Sequence, residues 1–134
     1  MSKTIEELLN TPYWIIDILP KQVPAGSAGQ YFVVEKYLRD TQLSDIKKKH
    51  VNMILKLNCY RDISLDEDKT ANIPPEQIAD AIYKRYVNIM VDDAMIIYEP
   101  EDTHLTIFNS DEELLTLVRE LASAEGMFVW KNED

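Results

Sequence analysis

A single cysteine, Cys59, occurs in the 134-residue chain. No intramolecular disulfide can therefore staple the fold, and the sequence suits a compartment where thiols stay reduced. Long apolar runs are missing too. The longest, Tyr13 to Leu19, is broken by Asp17 and falls well short of the roughly 20 residues a membrane-spanning helix needs. The opening residues, Met1 to Glu7, carry acids where a secretory leader would have a basic region and then an apolar one. A cytoplasmic location is the expectation. Positive charge is scarce: fourteen Lys and Arg face 24 Asp and Glu, a formal charge of −10. Such a field repels phosphate backbones and anionic lipid, so neither nucleic acid nor a membrane is an expected partner, whereas a basic protein would be attracted. Colloidal solubility is the plainer use of the same charge.

Signatures of cofactor and metal chemistry are also lacking. The loop Pro24-Ala25-Gly26-Ser27-Ala28-Gly29-Gln30 has glycines before a helix start but neither a Gly-Lys-Ser/Thr ending nor dinucleotide spacing. His50 and His104 are the only histidines, and neither has a second His or Cys at zinc-ligand spacing. The acidic stretches do not follow a calcium loop. Ser27 and Ser44 have no base nearby in sequence. No cofactor and no metal is expected.

What the chain does contain is globular. It is 46% hydrophobic and 28% charged, enough at this length for one core without staples. One domain over 1–134 is expected, with an irregular polar loop at about 61–73 and a polar tail at 131–134. Three hydroxyl residues precede a Glu or Gln by three positions, namely Thr4/Glu7, Ser27/Gln30 and Ser110/Glu113, the pattern of a helix-capping box. Helices are expected after each, with the apolar arc Tyr31, Val34, Tyr37 and Leu38 buried in the second. A further short helix spans Leu43 to Lys49, where the basic run Lys47-Lys48-Lys49 complements a helix C-terminus. Pro74-Pro75 opens another, with Ile78, Ala81 and Ile82 inward.

Strands are expected at 13–19, 86–91, 95–98, 104–108 and 127–130 from their β-branched and aromatic content and their bounding turns. Alternation of Val51, Met53, Leu55, Leu57 and Cys59 with more polar neighbours predicts one more, with Cys59 on its core face. Consecutive strands joined by short turns must be antiparallel. The expected fold is α+β: a largely antiparallel five- or six-stranded sheet with helices packed mainly on one face.

Two residues are candidates for catalysis. Asp17 shares a strand face with Tyr13, Ile15 and Leu19, so burial would raise its pKa into the range of a general acid or base. His104, beside Asp102, would be a base held by a carboxylate. Asp92-Asp93 reads first as a hairpin turn. The acids Asp62, Asp66, Glu67 and Asp68 in the polar loop, and Glu101 and Asp102 in a turn that also holds Glu99, are candidates for docking a basic partner. The preferred reading is a non-enzymatic protein-binding module of the inhibitor or immunity-protein type. A small enzyme or ligand-binding domain with a carboxylate–histidine site is the alternative. A homodimer formed by self-pairing of the final strand is compatible with both.

Overall fold

A computed structural model describes residues 4–66 and 68–131. Its elements run α1 (Ile5–Leu8), β1 (Tyr13–Asp17), α2 (Tyr31–Asn58), β2 (Ile63–Leu65), α3 (Pro75–Lys84), β3 (Val87–Val91), β4 (Ala94–Tyr98), β5 (His104–Phe108), α4 (Glu112–Ala124) and β6 (Phe128–Lys131). The six strands form one sheet in the order β2-β3-β4-β5-β1-β6, and every pairing is antiparallel. The fold is α+β, as the sequence predicts. No helix among the described residues is long and apolar enough to cross a membrane.

Strand alternation divides the sheet into two faces. One carries Ile16, Ile89, Ile96, Leu105 and Ile107, and Ile54 and Leu57 of α2, Ile78 and Ile82 of α3, and Leu114 and Val118 of α4 close over it in one buried cluster. The other face is covered by α1 at one end only, where Leu8 packs on Met95 and Phe108. Helices thus lie mainly on one face. α1 starts with the predicted box: the Glu7 amide donates to Thr4 Oγ1 at 3.1 Å, and the Thr4 amide to Glu7 Oε1 at 3.1 Å. The other two boxes do not form. Asp111 caps α4, accepting from the Leu114 amide at 2.8 Å, and Gln30 precedes α2 without any side-chain cap bond. An aspartate serves at a cap as well as a serine does, and here it stands one residue nearer the helix.

The predicted strand at 51–60 is helix. α2 runs on to Asn58, burying Ile46, His50, Val51, Met53, Ile54 and Leu57. Those positions recur at helical spacing, and Val51, Met53 and Leu57 also fit an alternation that Leu55 and Cys59 complete by coincidence. Cys59, placed on a core face by the strand reading, follows the helix and is exposed; its thiol lies 3.6 Å from the Leu55 carbonyl. Lys47 to Lys49 fall mid-helix rather than at a C-terminus. Within the span expected to be irregular, Ile63–Leu65 forms the edge strand β2. Lys131, expected to begin a polar tail, ends β6, and the rest of that tail lies outside the described residues.

α2 is broken once. Gln42 sits at φ −129°, ψ 19°, outside helical values, next to Thr41, whose hydroxyl donates to the Tyr37 carbonyl at 2.7 Å. Such back-bonding by threonine bends helices. The body 43–58 packs on the sheet. The arm 31–41 leaves Phe32, Val33, Val34 and Tyr37 exposed, Val33 by 63% and Tyr37 by 61%. The expected burial of Val34 and Tyr37 is therefore reversed, while Tyr31 and Leu38 of the same arc are partly buried.

Candidate functional site

Register brings together the two catalytic candidates, which lie 87 positions apart in the chain. Asp17, the last residue of β1, is directly opposite His104, the first of β5, and Phe128 of β6 is its other neighbour. All three point to the face that α1 leaves open at this end. Asp17 is only 4% exposed. Burial raises its pKa first; the His104 ring and the Leu19 and Ile18 amides work against that rise, and Glu35 adds to it. The Leu19 amide reaches Asp17 Oδ1 at 3.4 Å. The sequence alone ties His104 to Asp102; the fold gives it Asp17 across the ladder instead.

The α2 arm contributes to the same corner. Tyr31, Glu35 and Leu38, one helical stripe, are its partly buried residues. The Tyr31 hydroxyl is pushed up to about 12, chiefly by burial and then by the charges of Asp17 and Glu35. Neither Tyr31 nor Glu35 was a candidate from sequence, because helix periodicity turned the glutamate outward. No sequence signal marked either residue, since Glu35 has Arg39 one helical turn on and reads as an ordinary exposed pair. One step past β4 and before β3 stand Glu99 and Tyr86, and burial raises the Tyr86 hydroxyl, with Glu99 and Asp66 adding to it.

The docking candidates do not form one patch. Glu101 and Asp102 lie in the β4–β5 turn at the Asp17 end of the sheet, where the Asp102 amide bonds the Glu99 carbonyl at 3.1 Å. Asp66, at φ 55°, is engaged internally: its carboxylate accepts from the Asn88 amide at 3.1 Å and from Arg85 at 2.8 Å. Asp68 accepts from the Thr70 amide at 2.9 Å, and that bond holds its pKa below the usual carboxylate range. Glu67 lies outside the described residues. Asp62 sits at the opposite end of β2, bonded by Asn72 at 2.7 Å.

That opposite end holds two shallow cavities. One of about 240 Å³ is lined by Asp92, Asp93, Asn109, Ser110 and Asp111, and one of about 310 Å³ by Asp62, Ser64, Lys69, Met90 and Asp92. Asp92 is paired with Arg61 at 2.6 Å. Neither cavity is lined by tyrosine or tryptophan, and neither contains Asp17 or His104. No group of three or more His, Cys, Asp or Glu side chains among the described residues is placed to hold a metal ion. Of the histidines, His50 is fully buried in the helix-covered core, bonded to Tyr98 and to the Thr103 carbonyl.

A buried carboxylate that is charged at neutral pH lowers stability, which gives a direct test of this geometry. The folded-state pKa of Asp17 is raised, so the folded chain holds the proton more tightly and loses stability as pH rises through that value. Asp17→Asn is expected to stabilise the fold by about 1 kcal/mol at pH 7.5, with the gain shrinking as the pH is lowered. Urea titrations at several pH values would measure it. An Asn variant less stable than the parent at pH 7.5 would mean that Asp17 is held as a favourable ion. Compared with family models, curated proteins and solved structures, the chain matches none of them.

Proposed function

We propose that this chain is a protein-binding module whose contact surface is the α2 arm together with the acidic β4–β5 turn. The observation that carries this reading is the arm itself. Four large apolar side chains, Phe32, Val33, Val34 and Tyr37, stand exposed within six residues. Clustered exposed apolar groups with a polar surround mark interaction sites more often than scattered ones do. The β4–β5 turn at this end of the sheet carries Glu99, Glu101 and Asp102. An apolar centre beside acidic groups suits a basic protein presenting a hydrophobic contact, and it needs no enclosed cavity. Electrostatics would speed and select the encounter, while the apolar arm would set the lifetime.

The test begins with capture of the basic partner from source-cell extract and continues with the purified pair. In calorimetric titration, Val33→Glu with Tyr37→Glu is expected to weaken binding about 30-fold or more, the scale of a lost hot spot. Glu101→Lys with Asp102→Lys is expected to slow association and flatten its salt dependence. A captured protein that binds both variants like the parent would refute this assignment of the surface.

One observation favours a second reading, a small-ligand or catalytic site: the buried Asp17 lies directly opposite His104. A buried carboxyl with a raised pKa beside an imidazole is suited to proton transfer. Under this reading, ligands found by NMR screening would shift His104 and the Asp17 neighbourhood, leave the arm unchanged, and lose affinity in Asp17→Asn and His104→Gln alike.

A further inference from the structure

The two edges of the sheet are finished differently. At β2 the Asp66 amide donates to the Asn88 carbonyl at 2.7 Å, which sets the phase of the β2–β3 ladder and turns the backbone groups of Ile63 and Leu65 outward. Three of those four groups are already occupied. The Ile63 carbonyl accepts from the Asn72 amide at 2.8 Å, and the Leu65 carbonyl from the Asp68 amide at 3.2 Å. The Ile63 amide donates to Asn72 Oδ1 at 3.2 Å. Asn72 holds a left-handed φ of 56° to do this. The β2 edge is closed by its own loop.

The β6 edge is open. The Asn109 amide donates to the Pro12 carbonyl at 3.0 Å, continuing the β1–β5 ladder by one pair and fixing its phase. Trp14 and Ile16 therefore bond β5, and Ile15 and Asp17 are left to bond β6. Across the register these meet Trp130 and Phe128. Val129 and Lys131 consequently direct both N–H and C=O away from the sheet. No described residue bonds these four groups. Strand edges are blunted by short length, lysine, proline, bulges or a covering loop; β6 is four residues long and carries Lys131, but it has no proline and no described loop covers it.

We propose that this edge is the interface between two copies of the chain, joined by antiparallel β6–β6 pairing about a two-fold axis at Trp130. The alternation of the outward groups selects this register. Val129 of each copy then stands opposite Lys131 of the partner subunit. Each such pair exchanges two hydrogen bonds, so all four outward groups on each copy are filled. Trp130 faces Trp130 of the partner subunit as a non-hydrogen-bonded pair, the closer of the two cross-strand spacings. Phe128, 45% exposed, lies diagonal to that contact on the same face. A seam of one four-residue strand from each copy is a weak interface, and its dissociation constant is expected at about 10–500 µM. Each copy carries a formal charge of −10, so added salt strengthens the dimer, opposite to its effect on a basic partner.

The test uses the full chain from about 10 µM to 1 mM. Sedimentation velocity is expected to show a monomer passing to a dimer, at lower concentration when salt is raised. Amide exchange followed by NMR gives the register: Val129 and Lys131 amides are expected to slow about tenfold or more with concentration, while Phe128 and Trp130 amides, already bonded to β1, stay slow throughout. Lys131→Pro removes one outward donor at an edge position where proline is tolerated and is expected to abolish the dimer. Lys131→Thr, which keeps that donor, is expected to retain it. A chain that stays monomeric at 1 mM overturns the proposal. So does a dimer whose new protection appears elsewhere, or one that survives in folded Lys131→Pro. Should the proline variant not fold, the amide pattern of the parent chain decides alone.

Discussion

Ile54→Ala is expected to lower the free energy of unfolding by about 2–5 kcal/mol, and Leu55→Ala by less than half as much. The two positions are adjacent in sequence and both branched aliphatic, yet α2 separates them. Ile54 is fully buried against the sheet, in a stripe with His50, Met53 and Leu57, while Leu55 is only half-buried. Both substitutions gain from the helix preference of alanine, so their difference isolates the cavity left behind. Urea unfolding with an unchanged m-value would measure it. A strand over 51–60 predicts the reverse order, with Leu55 on the core face and Ile54 on the mixed one. Equal costs, or a larger cost at Leu55, would therefore contradict the helix.

The same pair of residues explains what was legible in the sequence. Turn chemistry and β-branched content located the hairpins at Asp92-Asp93 and Pro100-Glu101-Asp102, and with them the antiparallel sheet. Those signals are local, and local chemistry decides them. Around Val51 to Leu57 the pattern satisfies both periods at once: every second residue is apolar, while Ile46, Met53, Ile54 and Leu57 recur at helical spacing with His50 among them. His50, a polar residue type, interrupts the stripe of apolar residues in the sequence. Its ring is neutral and fully bonded in the core, so it packs as one of them.

The arm posed the opposite difficulty. The structure divides its expected arc, with Tyr31 and Leu38 partly buried and Val34 and Tyr37 exposed, because periodicity says nothing of what lies beneath each side of a helix. The break at Gln42, which carries the arm away from the core, depends on backbone geometry rather than on a proline or glycine. The candidate site was half visible. Asp17 stood out as a carboxylate in an apolar strand, and His104 as one of two histidines. That β1 inserts between β5 and β6, setting these two face to face, is a matter of long-range strand order. No local signal encodes it. Tyr31 and Glu35 reach the same corner only because of that order and the direction of the arm.

Acid is expected to weaken the fold through His50, by about 3 kcal/mol between pH 7 and pH 4. The ring lies in the core with its Nε2–H donating to the Thr103 carbonyl at 3.2 Å and its Nδ1 3.2 Å from the Tyr98 hydroxyl. With Nε2 committed as donor, the neutral ring accepts at Nδ1, and the tyrosine O–H supplies that bond. Burial raises the Tyr98 hydroxyl strongly, which keeps it protonated in this role. Protonating His50 would place an N–H against that O–H and bury a charge. Burial is the main cause that lowers its pKa to about 4. His104, Lys47 and Lys49 press in the same direction, and the Thr103 carbonyl opposes them.

The unfolded chain takes up this proton near 6.5 and the folded chain only near 4. The contribution of His50 is therefore intact above about pH 6.5 and is lost as the pH falls toward 4, and a gap of that width corresponds to about 3 kcal/mol. Asp17 acts in the opposite sense, since its raised pKa makes the fold more tolerant of acid. The two are separated by substitution. In His50→Gln the acid-dependent loss over this range should shrink by about that amount, leaving the share of carboxylates such as Asp68 and Glu125 whose pKa is lowered, although the variant starts from a lower stability at pH 7 because the Tyr98 and Thr103 bonds are disturbed. Guanidinium midpoints at half-unit pH steps would read this directly. A parent and a His50→Gln chain that lose stability in parallel would show that the proton is taken up elsewhere, and that the core histidine is not what limits this fold in acid.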